Sequence, residues 1–121
     1  MAQTIFIIDD DMTFQMVLEL ALRDAGYNVV IANNGVEGIK RLDTLTPDLV
    51  ISDIMMPQMD GVAVFRQIKE RLQDQGIPII IVTALNRKPW FSDLEDEGAV
   101  ILQKPFEVDK LVDLIGTMLA E

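Results

Sequence analysis

Short apolar runs alternate along the chain with longer stretches in which apolar residues recur every three or four positions. Runs rich in β-branched residues predict buried strands, whereas the wider spacing predicts amphipathic helices. Five strands are predicted, at residues 4–8, 28–32, 48–52, 79–82 and 100–102. Five helices follow them in turn, from residue 12 to the glycine at 26, from 34 to about 45, from 61 to about 73, from 91 to 97 and from 108 to about 120.

This alternation predicts an α/β domain with a five-stranded parallel sheet. The strands are apolar at nearly every position rather than at every second one, which is expected when helices cover both faces of a sheet. A chain of 121 residues is long enough for one such doubly wound domain, which we assign to residues 1–121. Ligands of these sheets bind at the carboxyl ends of the strands, so functional residues are expected there.

The composition restricts the chemistry, because the chain contains no cysteine and no histidine. Thiolate or imidazole zinc sites, cysteine nucleophiles and Ser-His-Asp triads are therefore excluded, and a metal would need oxygen ligands. The formal net charge of −10 disfavours direct binding to nucleic acid or anionic lipid. We expect a cytoplasmic protein without a membrane span, because the longest apolar run is short and the first residues lack a charged leader.

Charged or hydroxyl side chains stand at the ends of four of the predicted strands. The first strand is followed by Asp9 and Asp10, the third by Asp53, the fourth by Thr83 and the fifth, after Gln103, by Lys104. Because the ends of parallel strands meet at one edge of the sheet, we expect these side chains to lie together. Three adjacent carboxylates repel each other unless a cation joins them, and Mg²⁺ suits such oxygen ligands. The lysine and the threonine hydroxyl add groups that can bind a phosphoryl group.

The segments that contain these residues resemble, in order and from end to end, the bacterial two-component response-regulator receiver domain, and its single-domain chemotaxis regulators in particular. The matching segments are Ile7 to Asp11, Pro47 to Pro57, Asp60-Gly61, Ile81 to Ala84 and Lys104 to Phe106. The resemblance implies a flavodoxin-like strand order of 2-1-3-4-5. It also implies a cis peptide bond before Pro105, a bond type largely limited to proline.

The resemblance implies a role for each residue of the site. Asp53 would be the phosphoacceptor, and Mg²⁺ would be held by Asp9, Asp10, Asp53 and the backbone carbonyl of Met55. The phosphoryl group would be bound, and its presence sensed, by Thr83, Ala84 and Lys104.

The resemblance also implies partners and a signalling role rather than an enzyme that turns over a substrate. A sensor histidine kinase or phosphotransfer protein would supply the phosphoryl group. A conformational change at the face of the fourth helix, fifth strand and fifth helix would then reach a downstream protein or an output domain. The family tunes loss of phosphate at the positions of Met55 and Leu85, and neither side chain can orient water by hydrogen bonding. We therefore predict slow autodephosphorylation.

The chain departs from the family pattern on the output side. Many receivers carry an aromatic residue three positions before the lysine, where this chain has Ile101. Isoleucine is stiff at its first torsion and has no ring or hydroxyl to expose, so we predict an altered switch at this position. The segment 98–101 is also one residue shorter than the common pattern.

Two other functions remain open from the residues alone. The run Asp9 to Thr13 also matches the Asp-x-Asp-x-Thr signature of haloacid-dehalogenase-like phosphatases. In that alternative Asp9 is the nucleophile, Asp11 the general acid/base, and Thr83 and Lys104 bind phosphate. The second alternative is a pseudo-receiver that only binds partners. Structural interpretations compete as well, because Asp11 is also a good N-cap residue and Asp60-Gly61 a common turn.

Overall fold

A computed structural model describes residues 2–54 and 60–120 of the chain. The described strands are β1 (Thr4–Ile8), β2 (Asn28–Ala32), β3 (Leu49–Asp53), β4 (Ile79–Thr83) and β5 (Val100–Gln103). The described helices are α1 (Met12–Asp24), α2 (Gly35–Arg41), α3 (Gly61–Asp74), α4 (Phe91–Asp96) and α5 (Val108–Leu119). None of these helices is both long and apolar enough to cross a membrane.

The five strands form one parallel sheet in the order β2-β1-β3-β4-β5, which confirms the predicted fold class. In the register of the sheet, Ile8 lies beside Ser52 and Thr83 beside Gln103. The last residues of β1, β3, β4 and β5 therefore meet at one edge, as the parallel arrangement requires.

Two hydrophobic cores lie on opposite faces of the sheet. In one core, side chains of α3 and α4, together with Leu42 just after α2, pack against the strands. In the other core, side chains of α1 and α5 pack against the opposite face. Neighbouring strand residues alternate between the two cores, as Ile80 and Ile81 do in β4. Both faces of the strands are thus covered, which explains the unbroken apolar runs in the sequence.

The second helix is shorter than predicted. It ends at Arg41 rather than near residue 45, and the chain continues in hydrogen-bonded turns in which the N–H groups of Thr44 and Leu45 both donate to the Arg41 carbonyl. At its beginning the Asn34 side chain accepts the Glu37 N–H at 2.8 Å. The Glu37 carboxylate reaches back to the N–H of Asn33, one residue before the position of a standard capping box.

The buried face of α1 also differs from the predicted one. Apolar residues at positions 14, 17, 18, 21 and 22 predict an inner face that includes Val17, but Val17 is exposed and Gln15 is buried. The Gln15 amide donates to the backbone carbonyl of Asp9 and, at 3.0 Å, to the Asn33 side chain. A buried polar group needs such partners, and these tie α1 to the ends of β1 and β2.

Candidate functional site

The structure brings Asp9, Asp10 and Asp53 together at the carboxyl edge of the sheet. One carboxylate oxygen from each lies within 4.8 Å of one from each of the others. Asp9 and Asp53 are buried, whereas Asp10 is exposed. Asp53 is the last residue of β3, so the strand fixes its backbone beside the end of β1.

Asp9 is in an electrostatically unfavourable position. Its side chain is 1% exposed, and one oxygen accepts the Asp11 N–H at 2.9 Å. Among the described residues its other oxygen, Oδ2, has no hydrogen-bond partner. Burial raises the pKa of the Asp9 carboxyl to about 6, with smaller increases from the negative charges of Asp53 and Asp10. The Asp11 N–H and the charge of Lys104 oppose that shift without cancelling it.

Such a group needs a cation, and the donor set suits a hard one. A buried carboxylate with two acidic neighbours, and with one oxygen that no described residue pairs, is costly unless positive charge joins them. Mg²⁺ prefers carboxylate oxygens and keeps several waters, which an exposed third ligand permits. Asp9, Asp10 and Asp53 therefore fit the predicted ion. The Met55 carbonyl, the fourth predicted ligand, lies outside the described residues.

Lys104 supplies positive charge at the same edge. Its Nζ lies 3.6 Å from Asp53 Oδ2. Its backbone N–H donates to the Thr83 carbonyl at 2.6 Å, which holds the start of the β5–α5 loop against the end of β4. The peptide bond between Lys104 and Pro105 is cis, as the resemblance implied.

Thr83 and Ala84 occupy the end of β4. Thr83 is fully buried, and its hydroxyl accepts the Leu85 N–H at 3.0 Å. Ala84, the next residue, is exposed. The end of β4 thus passes from a buried hydroxyl to an exposed residue, an arrangement suited to a ligand that arrives from solvent.

Ile101 lies in β5 beside Ile81, half-buried against the core that contains α3 and α4. Along β5 it is two residues before Gln103, the partner of Thr83, and so points to the same face as Gln103. An aliphatic side chain in this place is part of the core. Its predicted effect on the switch remains a prediction.

The two acidic residues with competing interpretations both cap helices. Asp11 is the N-cap of α1, and its side chain accepts the N–H groups of Thr13 and Phe14. Asp60 is the N-cap of α3 and accepts the Ala63 N–H at 2.9 Å. The structural interpretation of both residues is confirmed, and Asp11 is occupied as a cap rather than placed for acid/base chemistry.

Sequence reasoning missed three contributions to the site. Gly61 was interpreted only as a turn, yet a Cβ there would lie 2.1 Å from the Asp53 carbonyl oxygen, so only glycine lets α3 begin this close to the site. The buried Gln15 amide donates to the backbone carbonyl of Asp9. Phe14 lies beneath the lysine, with its ring centroid 4.0 Å from Lys104 Nζ. Of the three, only the role of Gly61 could have been suspected from the sequence, because Asp60-Gly61 follows soon after the strand that ends in Asp53. The contacts of Gln15 and Phe14 join residues that meet only in the folded structure.

Comparison with known proteins identifies the class to which this fold and site belong. The family model described as the response regulator receiver domain matches residues 5–116. The chain therefore belongs to the response regulator receiver domain family, whose members are signalling modules, and the haloacid-dehalogenase-like alternative is not supported.

Individual relatives agree with the family. The DNA-binding transcriptional regulator NtrC of Escherichia coli K12 is 39% identical over 112 residues, which are 92% of this chain and 24% of NtrC. The crystal structure of a signal receiver domain of a Syntrophus aciditrophicus signal transduction histidine kinase is similar, with 32% identity, a TM-score of 0.87, and coverage of 98% of this chain and 91% of that one. The response regulator TrrA of Thermotoga maritima, solved in complex with Mg²⁺-BeF, has 31% identity, a TM-score of 0.81, and coverage of 97% and 99%. The chain thus spans about a quarter of the curated relative and nearly all of the two solved structures.

Proposed function

We propose that this domain is a phosphorylation-controlled switch in which Asp53 accepts the phosphoryl group. The observation that carries the proposal is the placement of Asp53, buried at a strand end, 3.6 Å from the Lys104 ammonium and within one cluster with Asp9 and Asp10. An exposed surface aspartate would have neither the fixed position nor the converging charges that phosphoryl transfer needs.

In the proposed reaction an oxygen of the Asp53 carboxylate attacks the phosphorus atom of a donor. A new O–P bond forms, the bond between phosphorus and the donor breaks, and its electron pair leaves with the donor. Lys104 pairs with a phosphoryl oxygen and neutralises part of its charge. Thr83 donates a hydrogen bond from its hydroxyl to another phosphoryl oxygen, and Ala84, which is exposed, lies beside that group.

Asp9, Asp10 and Asp53 would hold Mg²⁺, with the Met55 carbonyl as the fourth protein ligand. When bound, the ion supplies positive charge that offsets the carboxylates and the phosphoryl oxygens. Asp9 Oδ2 has no hydrogen-bond partner among residues 2–54 and 60–120, and the pKa of Asp9 is raised. Both observations support this assignment, because a cation would relieve both. The Mg²⁺-BeF complex of the Thermotoga relative supports it from outside the chain.

The test of the phosphoacceptor is labelling by a small acyl phosphate, followed by intact mass and peptide mapping. The parent should gain one phosphoryl group in Mg²⁺ and none with excess chelator, and Asp53→Asn should gain none. Asp113→Asn removes the same charge from an exposed position of α5 and should label like the parent. Labelling that persists in Asp53→Asn and disappears in Asp9→Asn would contradict the proposal, since Asp9 would then be the nucleophile.

The phosphoryl donor in the cell is proposed to be a sensor histidine kinase or a phosphotransfer protein, which docks on α1. Met12, Met16 and Leu20 recur every four residues along α1 and are 74%, 61% and 66% exposed. Such residues form one apolar stripe on a helix, and exposed apolar patches mark contact surfaces. The stripe begins one residue after the N-cap Asp11 and therefore lies next to the acidic site, where a donor must reach Asp53.

Docking and chemistry can be separated by comparing two donors. Met16→Ser with Leu20→Ser should slow labelling by a histidine kinase that phosphorylates the parent, while labelling by a small acyl phosphate stays unchanged. Val36→Ser removes an apolar side chain that is also exposed, but on α2, and should change neither rate. An equal effect of both changes on the kinase reaction would contradict docking on α1.

The output is proposed to pass through the face formed by α4, β5 and α5 to a downstream protein or to an output domain. We also propose that the phosphoryl group is lost slowly, because Leu85, which follows the Thr83-Ala84 pair, carries no group that orients water.

A further inference from the structure

Lys104 makes a second contact, away from the acidic cluster. Its Nζ lies 4.0 Å from the centroid of the Phe14 ring and 3.6 Å from Asp53 Oδ2. The ammonium is thus attracted from one side by a carboxylate and from the other by the negative face of an aromatic ring. The proposed function involves the contact of Lys104 with the Asp53 carboxylate, and it gives no role to the Phe14 ring.

The Phe14 ring is held in place by its own neighbours. Its backbone N–H donates to the side chain of the N-cap Asp11 at 3.2 Å, which fixes the first turn of α1. The ring of Phe106 meets it edge-on, with centroids 6.1 Å apart and planes at 84°. Both rings pack against the core beneath α1 and α5. These contacts favour one orientation of the Phe14 ring.

We propose that Phe14 is a positioning residue for Lys104, holding the ammonium over its ring face at the entrance to the site. The inference rests on the proposed role of Lys104 toward a phosphoryl group on Asp53. Lysine has a long, flexible and strongly hydrated side chain, so an ammonium held only by Asp53 would spend much of its time in solvent.

A ring suits this task better than a second carboxylate would. It attracts the ammonium without neutralising its charge and without offering an acceptor that competes with the phosphoryl oxygens. The attraction is also weakly directional, so Lys104 can shift across the ring as negative charge is added to Asp53. The backbone of Lys104 stays fixed meanwhile by its hydrogen bond to the Thr83 carbonyl.

The contact itself is tested in the unphosphorylated protein by NMR. Protons on the ε-methylene of Lys104 should be shifted upfield by the ring, in contrast to those of Lys110, whose side chain is 78% exposed. The shift should persist in Phe14→Tyr and disappear in Phe14→Leu. Should Phe14→Leu fail to fold, Phe14→Met replaces it, because its unbranched side chain fills the space differently and also lacks a ring.

The effect on the reaction is tested by the rate of labelling with a small acyl phosphate in saturating Mg²⁺. Phe14→Leu should slow labelling about threefold to tenfold, and Phe14→Tyr should stay within about twofold of the parent. In a Lys104→Ala background, Phe14→Leu should cause no further loss, because its effect acts through the lysine.

Three results would overturn the proposal: no ring-induced shift in the parent, equal slowing by Phe14→Tyr and Phe14→Leu, or an undiminished effect in the Lys104→Ala background. The NMR measurement needs no phosphorylation. A failure of Asp53 as the phosphoacceptor would therefore appear in the Asp53→Asn labelling and leave the Phe14–Lys104 measurement intact.

Discussion

Asp9 combines the deepest burial of the three clustered acids with an oxygen that has no hydrogen-bond partner among the described residues. An isolated buried charge is destabilising, and the protein can relieve it by protonation or by a cation. The raised pKa of Asp9 shows that protonation of this residue is favoured. The proposed Mg²⁺ site would instead supply a cation. We therefore expect the charged carboxylate of Asp9 to reduce the stability of the folded protein when no ion is bound.

Asp9→Asn should increase the free energy of unfolding at pH 7 without Mg²⁺ by about 1 to 3 kcal/mol. The upper value follows from a pKa raised from 3.8 to about 6, at about 1.4 kcal/mol per unit, and the cost of an unpaired amide reduces it. Urea unfolding in chelator measures the change. Added Mg²⁺ should stabilise the parent and leave the variant nearly unaffected.

The same substitution has a defined pH dependence. Because the folded-state pKa of Asp9 lies above the unfolded value, its destabilisation is absent below about pH 4 and complete above about pH 6. The unfolding free energies of Asp9→Asn and the parent should therefore converge as the pH falls toward 4. Asp113→Asn removes one negative charge without relieving a buried one, and a gain in that variant equal to that of Asp9→Asn would contradict the explanation.

Leu85 offers a second prediction at the scale of a single residue. Its N–H donates to the Thr83 hydroxyl, but its half-buried side chain is apolar. Leu85→Asn introduces a group that can orient water, so we expect decay of the phosphorylated protein to become up to about tenfold faster. The decay is followed by intact mass after removal of the donor, with the exposed change Leu20→Asn as control. Loss of phosphate from the parent within seconds would contradict the predicted slow decay.

At the scale of elements, α3 begins at the site rather than merely near it. The Gly61 N–H donates to the Ile54 carbonyl at 2.8 Å, immediately after Asp53. The absence of a side chain at Gly61 is what allows this close approach. The first turn of α3 thus supports the backbone on which Asp53 stands.

Gly61→Ala should destabilise the protein by about 1 to 3 kcal/mol and slow labelling of Asp53, because the added Cβ, 2.1 Å from the Asp53 carbonyl, forces the backbone apart. The matched control is Gly116→Ala in α5, where the nearest atom to the added Cβ is Tyr27 Oη at 3.8 Å. That control should be neutral or stabilising by up to about 1 kcal/mol. Equal stability of the two variants in urea unfolding would contradict the role of Gly61.

The elements also show where sequence patterns succeed. The bounds of β1 and β2 were predicted to the residue, and those of β3, β4 and β5 to within one, because buried parallel strands are unbroken apolar runs bounded by polar turns. The end of α2 was misplaced, since the turns beyond Arg41 continue helix-like hydrogen bonding without being helical. On α1, Gln15 was overlooked because a periodicity of apolar residues cannot reveal a buried amide.

At the scale of the whole molecule, the sheet separates two cores that both reach the site. The core beneath α1 and α5 supports Phe14 below Lys104, and the opposite core supports Ile101 and the side of β4 that carries Thr83. If Asp53 is the phosphoacceptor, as proposed, we expect a change there to reach both faces of the sheet. With an aliphatic residue at 101, β5 contributes no aromatic side chain at this position that could reorient.

Ile101→Tyr should extend the response to phosphorylation. Amide hydrogen exchange, measured with and without phosphorylation, should change mainly near Thr83 and Lys104 in the parent and also across α4 and β5 in the variant. Ile101→Leu keeps an aliphatic side chain and should behave like the parent. Identical exchange differences in the parent and in Ile101→Tyr would mean that this position does not limit the switch.

The sequence by itself determined the fold class, the order of the elements and the edge of the sheet at which Asp9, Asp10, Asp53, Thr83 and Lys104 meet. The elements follow from the periodicity of apolar residues, which is a local property of the sequence. The shared edge follows from the parallel sheet, in which all strands end on the same side. Only the tertiary structure decided which oxygen of Asp9 lacks a partner within the described part of the chain, why residue 61 is glycine, and that Phe14 lies against Lys104. Those facts depend on side chains brought together from distant parts of the chain, and no pattern along one element records such distances.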